Sequence, residues 1–478
     1  MKLRYYKKVI LIAGIFFIGI IPILQSQDFS ELEDQAKLLF SYEEYEMAKI
    51  LYDSLFMMDD DNANYAQSLG DCYLNTSYPE IAIKYYKKVI SLAPMSSNVF
   101  YTMASAYDLT NKPDSAILFF KKYHQRHELE ANVCNRIAIL YLDLENSQDS
   151  AIKYAQKAIS VDPNMPDGYY TLSMIYVDLL RFKDAIYTAQ AGINIDNEYG
   201  LLYMPLGLGH FYQKDYTKAI EFFEKGWKIP GLEKMFVNYL AFSKLLANTS
   251  EEDIDGDFEN ISFNSIKMKN LDKIIASTRD PQSKYYYSKL LKDFQDNFHE
   301  FGLDDYAMFY IGFTNDMAYL PYKSENLNLN ELLQMENYDL IQELTENKLD
   351  TIPTDFPLYW WLSKVSERNS DYFYQLDNLL KYYGFSQAIL ATGDGASEES
   401  AFLITFIHHE YEIMYQLGMS VLEQTLLNNR DHSFDVLKGT NNYENEKSIY
   451  FNIDLPLSAL KKNTNYSGKK NKKRKLFH

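Results

Sequence analysis

Carboxylates and imidazoles gather in one short span of this 478-residue chain: Asp394, Glu398, Glu399, His408, His409 and Glu410. Such side chains build metal sites and general acid–base pairs, because imidazole titrates near neutral pH and carboxylates bind cations. The candidate site in the C-terminal part is Asp394, Glu399, His409 and Glu410. The local sequence argues against chemistry there. Gly393-Asp394-Gly395 is a turn signal, Ser397 to Glu399 reads as a polar loop, and adjacent His408 and His409 point to opposite faces if they end a strand. The sequence holds no His-Glu-x-x-His, no Gly-x-Ser-x-Gly and no phosphate-binding glycine loop. We expect no catalytic residue, no metal and no cofactor.

Three further patterns invite chemistry and favour a plainer reading. Asp253, Asp255, Asp257 and Glu259 alternate around Gly256, as oxygen ligands do in calcium loops, but the turn glycine comes early and no well-spaced bidentate Glu follows. Cys72 and Cys134 lie two repeats apart, roughly 20 Å if stacked helices advance ~10 Å per unit, too far for a disulfide. Lys461 to Lys475 holds eight Lys or Arg residues and reads as a solvated tail. A formal charge of -19 excludes nucleic-acid binding by the body of the protein, which would need clustered cations to meet phosphates.

The elements that position these residues follow from a 34-residue period. Taking Ala63 as position 1, Leu69 and Gly70 fall at 7 and 8, Tyr73 at 11, Ala82 at 20, Tyr86 at 24, Val89 at 27 and Pro94 at 32. Small residues at 8 and 20 let two antiparallel helices approach, rings at 11 and 24 fill the space beside the crossing, and proline ends the second helix. The pattern resembles the tetratricopeptide repeat. It holds in six units from residue 29 to 233, with one residue added in the turn Glu145 to Gln148, and a half unit, Lys234 to Ala247, reads as a terminal cap.

The resemblance implies a concave face that holds a peptide or a protein partner. Positions 5, 9 and 12 line it, and the partner-binding candidates are Tyr101, Ser105, Asn135, Tyr170 and Met174. Asn64, Asn98 and Asn132 share position 2, where helices start, so they are expected to cap helices rather than form a ligand ladder. The clamp by which some tetratricopeptide proteins hold a C-terminal carboxylate is not carried over, because Glu33, Gln67 and Asp71 occupy early groove positions.

Beyond the acidic stretch 248–262, read as a linker, the 34-residue register disappears. Helices are expected over Lys284 to Phe298, Leu303 to Phe313 and Leu329 to Asn347, with a hairpin formed by Leu358 to Glu367 and Tyr372 to Tyr383. Strands follow at Phe402 to Ile407, Val421 to Leu427, Phe434 to Leu437 and Ile449 to Ile453, with a helix over Glu410 to Leu417. The run Ala391-Thr392-Gly393-Asp394-Gly395, with His409-Glu410-Tyr411, Phe434-Asp435-Val436-Leu437 and Ile449-Tyr450-Phe451-Asn452-Ile453, is similar to a domain of unknown function that recurs at the C-terminus of exported proteins in Gram-negative bacteria. That resemblance covers about residues 265 to 460 and implies no activity.

Lys2, Arg4, Lys7 and Lys8 precede an uncharged run from Val9 to Leu24 and the polar Gln25-Ser26-Gln27, the layout of an export signal. The expected domains are a signal peptide (1–26), six repeats plus a capping helix (29–247), the linker (248–262), the C-terminal domain (263–460) and a basic tail (461–478). The expected fold is mainly α: a right-handed α-solenoid followed by a helical domain with a small antiparallel sheet. The expected function is an exported, cell-envelope or periplasmic scaffold for a protein or peptide partner. It meets the membrane only if the N-terminal segment is uncleaved. The alternative is a periplasmic enzyme whose C-terminal domain acts on substrate that the repeats recruit.

Overall fold

The computed structural model describes residues 29–94, 96–127, 130–144, 147–249, 254–255, 262–263, 271–321, 327–429, 432–441 and 445–467. The expected signal peptide, most of the linker and the tail beyond Ser467 lie outside the described residues. Helices run in pairs from the start: Phe29–Ser41 (α1) with Tyr45–Met58 (α2), Ala63–Asn75 (α3) with Pro79–Leu92 (α4), Asn98–Leu109 (α5) with Pro113–His124 (α6), and Ala131–Leu142 (α7) with Gln148–Val161 (α8). Pro166–Asp178 (α9), Phe182–Ile195 (α10), Tyr203–Tyr212 (α11), Tyr216–Trp227 (α12) and Glu233–Ala247 (α13) continue the series.

Sequence period becomes packing through small residues that admit rings. Gly70 of α3 lies so close to Tyr86 of α4 that a Cβ there would stand 2.7 Å from the ring, and at Gly207 a Cβ would stand 2.2 Å from Phe223. Both rings are fully buried. The turn is equally regular inside the pairs α1–α2, α3–α4, α5–α6, α9–α10 and α11–α12. Glu43, Ser77, Asn111, Leu180 and Lys214 all adopt positive φ, between +53° and +66°. In one of them, the N–H of Asn111 bonds Asp108 O (2.9 Å) and that of Lys112 bonds Tyr107 O (3.0 Å), which satisfies carbonyls left open where a helix ends. No glycine occupies these left-handed positions, so nothing in composition marks them.

The same turn recurs where the sequence register has vanished. Glu336 (φ +53°) and Ser370 (φ +57°) stand 370 − 336 = 34 residues apart. Glu336 and Asn337 donate to Leu333 O and Leu332 O, and Ser370 and Asp371 donate to Glu367 O and Ser366 O. Leu329–Gln334 (α17) thus turns into Tyr338–Thr351 (α18), and Pro357–Arg368 (α19) into Tyr372–Leu390 (α20), by the device used in the repeats. Leu271–Arg279 (α14), Tyr287–Asn297 (α15) and Leu303–Gly312 (α16) precede them.

The chain divides into two compact units, 1–179 and 180–478, so the division falls inside the fifth repeat rather than at the acidic stretch. Within the second unit α13 is not a bare terminal cap. Its Lys234 pairs with Glu367 of α19, Asn238 accepts from Tyr383 Oη of α20 (3.1 Å), and Phe242 meets the Tyr383 ring edge-on at 5.7 Å. The last helix of the repeats is therefore packed against the helices that follow it. Within the acidic stretch, Ile254–Asp255 (β1) pairs antiparallel with Ser262–Phe263 (β2).

A four-stranded sheet completes the second unit, built from Phe402–Leu403 (β3), Ser420–Asn428 (β4), Ser433–Thr440 (β5) and Glu446–Asn452 (β6) in the order β3-β6-β5-β4. The three long strands are antiparallel as expected, but β3 is only two residues long and pairs parallel with β6. Residues 404–408 leave the sheet to start His409–Gln416 (α21), and Asp454–Ser467 (α22) follows β6, taking the first residues of the expected tail into a helix.

Two substitutions separate these constraints. Leu180 is exposed and carries a Cβ in a left-handed turn, so Leu180→Gly should stabilise the fold by ~1 kcal/mol and raise the Tm by a few degrees. Gly207→Ala, which ordinary helix propensity would favour, should instead destabilise by ~1–3 kcal/mol through its clash with Phe223. Thermal melting of both variants reads the two signs.

Candidate functional site

In the first unit the candidate binding residues sit on the first helices of successive repeats. Tyr101 and Ser105 of α5, and Tyr170 and Met174 of α9, are i,i+4 pairs on one helix face, and Asn135 holds the equivalent place on α7. Tyr101 is 39% exposed, with its ring set against Phe120 (5.6 Å) and Tyr123 (5.4 Å). Ser105 Oγ donates to Tyr101 O (3.1 Å), while Asn135 Oδ1 is buried without a hydrogen-bond partner among the described residues. Tyr170 and Met174 are half-buried.

The acids of this region are already engaged. Asp108 accepts from Arg136 Nε of the next repeat (2.6 Å), Glu33 pairs with Lys37 and accepts from Tyr65 Oη (2.9 Å), and Asp71 accepts from Tyr86 Oη (2.7 Å). Burial pushes Asp71 up to about 6, against the pull of the Tyr86 hydrogen bond. Cys72 and Cys134 are buried, free thiols, and burial raises both out of the reactive range.

The expected asparagine caps are not where position 2 placed them. Asn62, just ahead of α3, is the cap, accepting from the N–H groups of Asn64 (3.0 Å) and Tyr65 (3.4 Å). Asn98 is the first residue of α5, behind a Ser97 cap that makes no side-chain capping bond, and Asn132 accepts only from its neighbour Val133 N. The helices start one or two residues earlier than the pattern suggested.

The C-terminal candidates separate in the structure. Asp394 and Glu399 are exposed on their loop, where Asp394 accepts from Ala396 N (2.8 Å). His409 and Glu410 are fully buried at the start of α21. There the adjacent histidines do not oppose each other, because they begin a helix instead of ending a strand. Both turn towards Asp355, a buried residue in the loop before α19: His408 Nε2 is 2.8 Å and His409 Nε2 3.4 Å from Asp355 Oδ1. Lys348 Nζ of α18 reaches Asp355 Oδ2 at 2.9 Å. Burial raises the Asp355 carboxyl, but the His408 and His409 hydrogen bonds outweigh it and hold the group well below the carboxylate range.

Burial also keeps His409 neutral, lowering it to about 3, with His408 adding to the effect and Asp355 opposing it. A neutral ring carries one proton. Since the Asp355 carboxylate only accepts, that proton sits on Nε2, and Nδ1 accepts from Tyr310 Oη at 2.8 Å. Tyr310 in turn accepts from Thr405 N (3.0 Å), which fixes the stretch leaving β3. Asp355, His408 and His409 have the donor set of a metal site, with one ligand atom each inside 4.8 Å. The Lys348 ammonium already supplies the carboxylate with a counter-charge, and a divalent ion would have to sit beside it. The cluster is a fastener joining α18, the loop before α19 and α21. Sequence reasoning missed Asp355 because an Asp ahead of a helix reads as a cap.

Next to it, Glu410 lies against Asp435 of β5. Burial, then the Asp435 charge, pushes Glu410 up to about 9, and burial raises Asp435 as well. Gln424 Nε2 donates to Asp435 Oδ2 (2.5 Å) and its Oε1 accepts from Tyr411 Oη (2.8 Å). Burial beside Asp435 therefore favours a protonated Glu410 at neutral pH.

Comparison with known proteins agrees with these two halves. Residues 272–462 match the family described as Domain of unknown function (DUF4919), and residues 63–94 and 131–165 match Tetratricopeptide repeat. The helix pairs of the N-terminal half are tetratricopeptide repeats. No curated protein matches the chain. Among solved structures, the chain is similar to YrrB, a TPR protein with an unusual peptide-binding site, at 16% identity over 37% of this chain and 92% of that one, TM-score 0.32. It is similar to MamA from Desulfovibrio magneticus RS-1 at 20% identity, covering 36% and 96%, TM-score 0.33. A tetratricopeptide repeat protein from Parabacteroides merdae shares 12% identity, covering 45% and 90%, TM-score 0.38.

Two outcomes are expected. Asn98→Ala should change stability by no more than about 0.5 kcal/mol, because no capping bond is lost, and urea unfolding measures it. For Glu410 the folded pKa lies above the unfolded one, so its contribution to stability falls as pH rises from about 4.5 towards about 9. Glu410→Gln should flatten the decline in Tm between pH 6.5 and 9, and an unchanged slope would contradict the buried proton.

Proposed function

We propose that this protein is an exported scaffold whose repeats hold a protein or peptide partner and whose C-terminal domain supports that assembly without catalysing a reaction. The observation that carries the reading is the Tyr101 face: a 39% exposed ring, braced by Phe120 and Tyr123, on one of a row of tetratricopeptide first helices. A rigid tyrosine offers contact area at low entropic cost, and Met174 adds an adaptable apolar contact.

A cell-envelope or periplasmic location is supported by the basic start and the Val9 to Leu24 run. The non-catalytic reading of the C-terminal domain is supported by the burial of His409, Glu410 and Tyr310, of which His409 and Tyr310 are hydrogen-bonded to each other.

The test is a quantitative pull-down from envelope fractions with the full chain. Tyr101→Ala with Tyr170→Ala should lose at least ten-fold of a partner that Asn98→Ala retains, at equal melting temperature. Loss with Asn98→Ala alone would return the binding role to the asparagines. Fractionation should recover the protein outside the cytoplasm with residues 1–26 removed, and full-length protein in the cytosol with Met1 retained would overturn the export reading.

A further inference from the structure

A cleft of about 630 Å³ opens in the second unit between α15, α18 and the face of α20 that carries Tyr374, Asn378 and Lys381. That volume lies in the range of small-ligand sites. Its walls hold charges of both signs that leave each other unmatched. Glu346 accepts from Tyr374 Oη (2.7 Å) and Gln342 Nε2 (2.8 Å), Asp316 accepts from Tyr287 Oη (2.9 Å) and Ala318 N (2.8 Å), and neither meets a cation among the described residues. Asp350, one turn beyond Glu346 on the same helix, has no hydrogen-bond or ion-pair partner among them either. Glu346 and Asp350, at i and i+4, place two like charges side by side on one edge of α18.

Lys381 is the cleft's cation, and it is not theirs. Its ammonium lies over the rings of Phe298 (4.0 Å), Tyr359 (5.5 Å) and Phe294 (5.7 Å) and makes no ion pair among the described residues. Burial holds it below the usual lysine range, and the one carboxylate whose charge reaches it is Asp377, itself paired with His299 at 2.7 Å. Lys381 and Tyr374, which marks Glu346, are seven residues apart on α20, or ~10 Å along the helix. The cleft thus presents an acidic end, a basic end and an aromatic floor between them.

We propose that this cleft binds a short zwitterionic peptide, with its terminal ammonium at Glu346 and Asp350 and its terminal carboxylate at Lys381. A molecule carrying both charges satisfies both ends at once, whereas a simple cation or anion would leave one unmatched. An extended chain spans ~3.3–3.6 Å per residue, so three residues match the ~10 Å rise along α20 between Tyr374, which holds Glu346, and Lys381. The aromatic floor accommodates an apolar central side chain. The inference concerns the C-terminal domain alone and stands whether or not the repeats bind a partner.

Isothermal titration of the full chain with Ala-Phe-Ala tests it. The tripeptide with free termini should bind one to one, and N-acetylation or C-amidation should each weaken binding at least ten-fold. Lys381→Met, which keeps an apolar stem over the rings, should abolish the difference between free and amidated peptide. Glu346→Gln with Asp350→Asn should abolish the difference between free and acetylated peptide. No saturable heat from the free tripeptide, or equal affinity for free and blocked peptides in the unsubstituted protein, would overturn the proposal without reliance on any variant.

Discussion

Two helices can lie flat against each other only if the side chains between them fit, and in the repeats this fit is a ring against a gap. Phe223 fills the space that Gly207 leaves, and Tyr86 the space at Gly70. Where Ala104 and Phe120 hold the same positions, both are buried. The crossing fixed in this way sets the spacing of the first helices, and that spacing lets Arg136 of one repeat reach Asp108 of the repeat before it. It also decides which residues stay outward: Tyr101 is left partly exposed because Phe120 and Tyr123 already occupy the interior beside it.

The C-terminal domain is ordered by a different means. Its elements are tied together by buried polar groups. Asp355 draws Lys348, His408 and His409 to one point, Tyr310 closes the far side of His409, and Glu410 lies buried beside Asp435, which raises its carboxyl. Such groups stabilise little in net terms, since desolvation offsets most of the attraction, but an incomplete set is expensive. They therefore specify one arrangement: α21 cannot slide against α18 without leaving Asp355 or His409 unpaired.

Helix packing and charge placement meet at α20. Tyr383 of this helix contacts Asn238 and Phe242 of α13, Tyr382 donates to Glu412 of α21, and Lys381 faces the cleft. Three successive residues thus serve three neighbours. A long helix permits this because successive side chains point about 100° apart. The last repeat helix and the C-terminal domain consequently share an internal support, which explains why the compact second unit begins well before the acidic stretch.

The helix pairs were legible in the sequence because close packing demands small and large residues at set positions, and Gly70, Tyr86 and Pro94 advertise themselves by type. The strands β4, β5 and β6 were legible as short apolar-rich runs separated by polar or glycine-containing turns. Helix starts were less so: Asn62 caps α3 where Asn64 was expected to, since several polar residues near a helix start satisfy the same rule. The turn between α19 and α20 was legible at Arg368 to Ser370, but the left-handed conformation at Leu180, Glu336 and Ser370 was invisible, because a turn held by backbone hydrogen bonds needs no particular side chain. At the candidate site the sequence identified His409 and Glu410 but joined them to Asp394 and Glu399, their neighbours along the chain. Only the tertiary structure brought Asp355, 53 residues before His408, to the two histidines. Local patterns are written by contacts that repeat every few residues, whereas a buried charge is matched by whichever distant element the packing delivers to it.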